Sequence, residues 1–109
     1  MFWTVGEERR FDGVYIAHWE VPRFEAVTGR WLIGWLPKIE ACELRTGDGV
    51  EPLGDVLFGG REPANWRHSP GVRFTMSFEG RVTERGRFGH MGWCRWRILV
   101  LRWIRIEPI

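Results

Sequence analysis

The chain has 109 residues, of which 44% are hydrophobic and 15% aromatic, with a formal net charge of +2. This length predicts one domain, residues 1–109, around a single core. No apolar run approaches the ~20 residues of a membrane-spanning helix, and the N-terminus lacks the basic start and apolar centre of a signal peptide. We therefore expect a cytoplasmic protein without a membrane association, in which Cys42 and Cys94 are reduced.

The first half of the chain predicts short strands. Residues 14–21 alternate in the two-residue period of an extended backbone, and residues 30–36 and 38–45 are the next candidates, the last with the weakest pattern. Thr28-Gly29 between the first two segments is typical of a tight turn.

One short helix is predicted near residues 62–68. Pro63 suits the first helical position, and Glu62 lies at the N-terminal end, where negative charge is favourable. The preceding residues 50–60 are rich in glycine and predict a loop, with at most one helical turn through Asp55–Phe58. Pro70-Gly71 ends the predicted helix.

A long hairpin over residues 72–106 is the clearest prediction. From Val72 to Glu84 an apolar row alternates with a polar row, which places one row on a core when the backbone is extended. Residues 85–92 form a connector interrupted by three glycines, and residues 93–106 then contain no helix breaker. Arg102 interrupts the apolar row of this last strand. A bulge near residues 99–102, or a strand that passes from one sheet to another, would explain it.

Together these elements predict a mostly β domain, folded as a small closed or partly open barrel. The order of strands, a short helix near residue 65 and then a long hairpin resembles the OB-fold, a five-stranded barrel with a helix between its third and fourth strands. The resemblance is one of layout and has no residue motif behind it.

The charges are unevenly distributed along the chain. Residues 1–66 carry seven Arg and Lys against eleven acids, whereas residues 67–109 carry nine Arg against three Glu. If the fold keeps the two halves apart, the surface is polarised. The preference for Arg over Lys fits bidentate binding of phosphate or carboxylate, and it equally fits the codon usage of a GC-rich genome.

The connector at residues 85–92 is the best candidate for a binding site. Its glycines allow close approach of a ligand, its arginines can pair with phosphate, and an exposed aromatic ring can stack on a base. The alternative is a simple turn whose aromatic side chains fold back onto the barrel. The candidate binding residues here and along the hairpin are Arg85, Arg87, Phe88, His90, Trp93, Arg95, Arg97 and Trp103, together with Trp66.

Eight tryptophans are many for this length. Trp and Arg are enriched at the energetic centres of protein interfaces, and Trp also fills the interior of small barrels. We expect Trp19, Trp31 and Trp96 in the core. For Trp3, Trp66 and Trp103, core and partner contact stay open.

Neither a metal site nor catalytic chemistry is indicated. His90 and Cys94 are four residues apart, but no paired Cys or His motif of a zinc site occurs. Any Cys–His nucleophile pair or carboxylate pair would have to be assembled from scattered positions. We expect no cofactor and no enzymatic activity.

The sequence thus favours a non-enzymatic binding module. It would dock on a protein partner through a Trp and Arg surface, as an inhibitor, an immunity-type antidote or an assembly factor. The alternative is binding of single-stranded nucleic acid by an OB-like barrel. The oligomeric state is not indicated.

Overall fold

The alternating segment 72–82 forms a strand whose apolar row is buried. In the computed structural model, which describes residues 6–19, 22–26, 40–88 and 94–109, strand β4 spans Val72–Phe88 and strand β5 spans Cys94–Pro108. The side chains of Phe74, Met76, Phe78 and Val82 are buried between exposed or half-buried neighbours, so the predicted hairpin is confirmed. β4 continues four residues beyond Glu84 into the predicted connector, because its glycine does not stop the pairing with β5.

Five strands form the wall of the molecule. The first three are β1 (Arg9–Ala17), β2 (Arg23–Ala26) and β3 (Glu40–Thr46). The order around the ring is β1-β2-β3-β5-β4, and β4 pairs with β1 to close it. All pairs are antiparallel except β3 with β5, which is parallel. The predicted mostly β barrel with an OB-like layout is confirmed.

The predicted early strands have mixed outcomes. β1 covers part of the predicted segment 14–21, but it begins earlier, at Arg9, and ends at Ala17. β3 matches the predicted segment 38–45 closely. The predicted strand at residues 30–36 lies outside the described residues.

The core lies inside the ring and is built from aromatic side chains. Phe11, Phe24 and Phe78 are almost fully buried, and the ring of Phe78 lies 5.3 Å from that of Phe11 and 5.2 Å from that of Phe24, between centroids. Gly13 leaves room for this packing, since a Cβ there would lie 2.6 Å from the Phe24 ring and would also collide with the carbonyl oxygen of Glu25. The missing side chain on β1 therefore lets β2 approach closely.

A short helix and a 3-10 turn close one end of the barrel. Helix α1 spans Leu53–Phe58, between β3 and β4, and ends at Gly59, whose φ of 63° is the left-handed conformation that glycine tolerates. The segment predicted as a helix, near residues 62–68, contains a one-turn 3-10 helix at Trp66–His68. Asn65 just before it has a φ of 55°, which prevents a continuous α-helix from Pro63 onward. The α-helix lies instead at Leu53–Phe58, where the sequence predicted at most one helical turn.

Two irregularities in β5 explain the position of Arg102. Glu79 pairs with Arg102 whereas Gly80 pairs with Val100, so Leu101 is an extra residue in β5. Ile104 is extra in the same way, because Ser77 pairs with Arg105 and Phe78 with Trp103. Each extra residue reverses the face that the following side chains occupy. The inward residues are therefore Ile98, Val100, Trp103 and Ile106, and the predicted bulge near residues 99–102 is confirmed.

Candidate functional site

The two predicted tryptophan anchors contribute to the closed end of the barrel. Trp103 is half-buried, its ring lies edge-on to Phe78 at 5.6 Å between centroids, and its indole N–H donates to the carbonyl oxygen of Glu51 at 2.8 Å. Trp66 is half-buried as well, and its ring packs edge-on against Phe58 at 5.5 Å. Much of the surface of both rings is thus already used within the fold.

Most of the other predicted binding residues belong to the paired strands β4 and β5. The backbones of Arg85, Arg87 and Phe88 belong to β4, and that of Arg95 belongs to β5, but their side chains lie outside the described residues, as do His90 and Trp93. Arg97 is half-buried, and its carbonyl oxygen accepts a hydrogen bond from the Thr83 hydroxyl at 3.3 Å. The structure thus brings the backbones of Arg85, Arg87, Phe88, Arg95 and Arg97 onto two paired strands.

The interior of the barrel is occupied by side chains. Tyr15 points into it, 5% exposed, and burial raises the pKa of its phenol to about 12. A phenol with such a pKa stays neutral at physiological pH and acts as part of the core. Phe58, on α1, also packs edge-on against Phe74 at the closed end, so side chains fill the described part of the interior there.

Four ion pairs lie on the outer face among the described residues. The arginines of four pairs contact a carboxylate at 2.7 to 3.2 Å. Arg102 is within 2.7 Å of Glu79 and, through this hydrogen bond and its charge, lowers the pKa of that carboxyl. β1 and β3 come from the acidic half of the chain and lie beside β4 and β5 from the basic half. The fold therefore interleaves the two halves. The pairs are Arg10–Asp12, Arg23–Glu25, Arg102–Glu79 and Arg105–Glu107.

A groove of about 290 Å³ crosses β1, β4 and β5 on this outer face. Its polar side chains bond to one another, since the Ser77 hydroxyl donates to Asp12 Oδ1 at 2.6 Å and Arg105 pairs with Glu107 at 2.7 Å. A polar ligand would have to displace these bonds. The groove is therefore a weaker candidate than a surface with an exposed aromatic ring and exposed cations.

Such a surface lies where β1 ends. Trp19 is 44% exposed, which contradicts its predicted place in the core. The reason is that β1 ends at Ala17, so the strand alternation no longer determines where Trp19 points. The guanidinium carbon of Arg67 lies 5.8 Å from the centroid of the Trp19 ring, and the ring of His18 lies 6.2 Å from it at an interplanar angle of 26°. The side chains of Trp31 and Trp96 lie outside the described residues.

Ile16 and Arg73 extend this surface onto the sheet. They are paired neighbours in the register of β1 and β4, and the Arg73 side chain is exposed. Gly71 holds the two segments together, since a Cβ at this position would lie 3.2 Å from Ile16 Cγ2 and 3.7 Å from His18 Cδ2. We call this set the Trp19 surface; it comprises Ile16, His18, Trp19, Arg67 and Arg73.

Sequence reasoning overlooked the Trp19 surface because its parts are about fifty residues apart. His18 and Trp19 follow β1, whereas Arg67 lies in the 3-10 turn before β4. The two-residue alternation suggested that the strand continued to Val21. Pro22 was the available signal that the strand ends earlier.

Two classes of site lack support in the described part of the chain. It contains no group of three or more His, Cys, Asp or Glu side chains that could hold a metal ion. None of its helices is long and apolar enough to cross a membrane.

Comparison with known proteins identifies no relative. No protein-family model, no curated protein and no solved structure matches this chain. The candidate site therefore rests on the geometry of the described residues.

Proposed function

We propose that this chain is a non-enzymatic binding module that docks on a protein partner through the Trp19 surface. The observation that carries the proposal is the exposed Trp19 ring with the Arg67 guanidinium over it. Trp and Arg side chains provide most of the binding energy in many protein interfaces. The half-buried Ile16 beside them adds apolar area to the same surface.

The filled interior supports a role at the surface. Phe11, Phe24, Phe78 and Ile98 occupy the centre of the ring and are at most 1% exposed. An enzyme or a carrier of small molecules needs a concave pocket for its ligand. A docking module instead needs an exposed patch on a rigid scaffold, and here β1 and β4 supply the scaffold.

Capture from a lysate of the native host tests this proposal. The wild-type protein is immobilised beside Trp19→Ala, Arg67→Ala and the control Arg81→Ala, whose arginine is also exposed but lies in β4 away from Trp19. We expect a partner that the wild type and the control retain equally and that Trp19→Ala retains at least about tenfold less. A titration with the purified partner must then give the same ranking of affinities, with the wild type and the control equal and Trp19→Ala weaker. If every captured protein binds the Trp19→Ala variant as well as the wild type, the proposal is wrong.

Single-stranded nucleic acid is the second candidate for the same surface. An exposed aromatic ring beside arginines can stack on a base while the cations contact phosphates, and the barrel has the OB-like layout. Tryptophan fluorescence is titrated with oligothymidine at about 50 mM and about 200 mM salt, beside a duplex control. Quenching by the single strand that weakens steeply at the higher salt would support this candidate. No quenching at the lower salt would exclude it.

A further inference from the structure

We infer that the Trp19 surface recognises an acidic segment of its partner, that is, carboxylate side chains next to an apolar one. The inference rests on the proposed function and adds the chemistry of the partner. It follows from two arginines without an ion pair to a described carboxylate, Arg67 and Arg73, that belong to the same surface as the exposed Trp19 ring.

Several arginines of the outer face have carboxylates of their own, whereas Arg81, exposed on β4 away from Trp19, forms no ion pair with a described carboxylate. Arg10, Arg102 and Arg105 each contact an Asp or Glu at 2.7 to 3.1 Å. Arg67 and Arg73, in contrast, form no ion pair with a described carboxylate. These two cations are therefore available for a carboxylate from outside, which Arg can bind through two parallel hydrogen bonds.

The five residues of the Trp19 surface include no acid, and Glu20, which follows Trp19 in the chain, lies outside the described residues. Residues 13–19 and 63–73 include His18, Arg67, His68 and Arg73 but neither Asp nor Glu. Ala17 pairs with Val72, so the ends of the two segments are adjacent. Among the described residues of this surface, a partner carboxylate would therefore meet cations and an aromatic ring.

Carboxylates just outside the Trp19 surface favour a polypeptide over a nucleic acid. In the next outward row of the sheet, Val14 pairs with Glu25 on one side and with Thr75 on the other, and Thr75 in turn pairs with Glu107. A single strand needs a basic track along several phosphates. Here such a strand would meet Glu25 or Glu107, so the basic surface is short.

The test uses two labelled, capped peptides of equal length, with repeating Glu-Gly-Leu or Lys-Gly-Leu units, and oligothymidine of the same length. Fluorescence anisotropy measures their binding to the wild type, to Trp19→Ala, to the double variant Arg67→Ala/Arg73→Ala and to the control Arg81→Ala. Circular dichroism verifies that each variant is folded. We expect micromolar binding of the acidic peptide, about tenfold weaker in the Trp19 and the double variants and unchanged in the control.

Three outcomes would overturn the inference. They are no binding of the acidic peptide, equal binding of the basic peptide, and tighter binding of oligothymidine that depends on Arg67 and Arg73. A captured partner that needs Trp19 but tolerates loss of both arginines would also overturn it, while leaving the proposed docking function intact. Conversely, binding of the peptide without any Trp19-dependent partner in the lysate would contradict the proposed function alone.

Discussion

Tyr15 and Gly13 lie on the inward side of β1, and each determines a property of the core by a different means. Tyr15 brings a polar hydroxyl into an apolar interior, where burial raises the pKa of its phenol to about 12. Gly13 has no side chain, and the Phe24 ring occupies the space that a Cβ would need. Both effects follow from what surrounds a single side chain, so each can be tested by one substitution.

Tyr15 makes the stability of the protein sensitive to alkaline pH. The phenol titrates near 10 in the unfolded chain and near 12 in the folded one, so between these values the folded state binds the proton more tightly. We expect the free energy of unfolding to be constant below about pH 10 and then to fall by up to about 1.4 kcal/mol per pH unit until about pH 12. Tyr15→Phe should remove this fall.

Absorbance at alkaline pH measures the same pKa directly. Tyr15 is the single tyrosine of the chain, so phenolate formation reports this residue without overlap from another tyrosine. The native protein should titrate about two pH units above the protein in concentrated urea. A native midpoint near 10 would mean that the hydroxyl is solvated, contrary to its burial.

Gly13→Ala should destabilise the fold. The new Cβ would collide with the Glu25 carbonyl oxygen and lie 2.6 Å from the Phe24 ring, which forces β2 away from β1. We expect a loss of at least about 2 kcal/mol in the free energy of unfolding, measured by urea denaturation. Gly54→Ala is the matched control, because a Cβ there meets nothing within 4 Å and the position is helical. The control should gain up to about 1 kcal/mol.

At the scale of the element, β5 shows how two bulges maintain an apolar face. Ile98 and Val100 are two positions apart, as in a regular strand, but the next inward residues, Trp103 and Ile106, each follow at an interval of three. The polar positions Arg102 and Arg105 therefore stay outside, opposite Glu79 and Ser77. The sequence alone shows that the apolar alternation of β5 is interrupted. The position of each extra residue, however, is determined by the pairing of β5 with β4.

Trp103 joins β5 to the loop that leads into α1, and its hydrogen bond can be removed separately from its packing. Trp103→Phe keeps an aromatic ring near Phe78 but loses the donor to the Glu51 carbonyl oxygen. We expect a loss of about 1 kcal/mol in the free energy of unfolding. Trp66→Phe is the comparison, since the Trp66 indole N–H has no described acceptor. If both variants lose the same amount, the hydrogen bond contributes nothing beyond the ring.

The helical elements show where sequence reasoning reaches its limit. Pro63 and Glu62 are typical of a helix start, but the left-handed backbone at Asn65 leaves room for one 3-10 turn. Leu53–Phe58 forms α1 among several glycines because its apolar side chains close the barrel end, a tertiary reason that local propensity does not contain. Alternation, by contrast, predicted β4 well because one face of that strand is buried along most of its described length.

For the molecule as a whole, the sequence predicted the class of fold better than the site. The buried rows of β1 and β4 alternate visibly, and the layout of strands and helix was sufficient to predict an OB-like barrel. The Trp19 surface depends on which chain ends meet in space, and no local pattern records that Trp19 and Arg67 are neighbours. The predicted anchors Trp66 and Trp103 were recognised by residue type, which does not distinguish packing from docking.

The ring topology predicts slow, cooperative folding. β1 must find β4 across more than fifty intervening residues, as Ala17 pairs with Val72 and Arg9 with Gly80. Domains dominated by such distant pairings fold in milliseconds to seconds. Stopped-flow refolding should show this range, and tryptophan fluorescence and far-UV circular dichroism should give coincident urea transitions. Refolding within microseconds would mean that local contacts dominate.

Closing the ring through β1 and β4 also affects colloidal behaviour. A strand with an unpaired edge is a template for aggregation, whereas β4 has β1 on one side and β5 on the other over residues 74–80. Beyond Val82 the described neighbour of β4 is β5 alone, and this is where the sequence concentrates Arg85, Arg87 and Arg95. Charged side chains next to exposed strands act as gatekeepers against fibril growth. These arginines can thus protect the strands against aggregation even when no partner is bound.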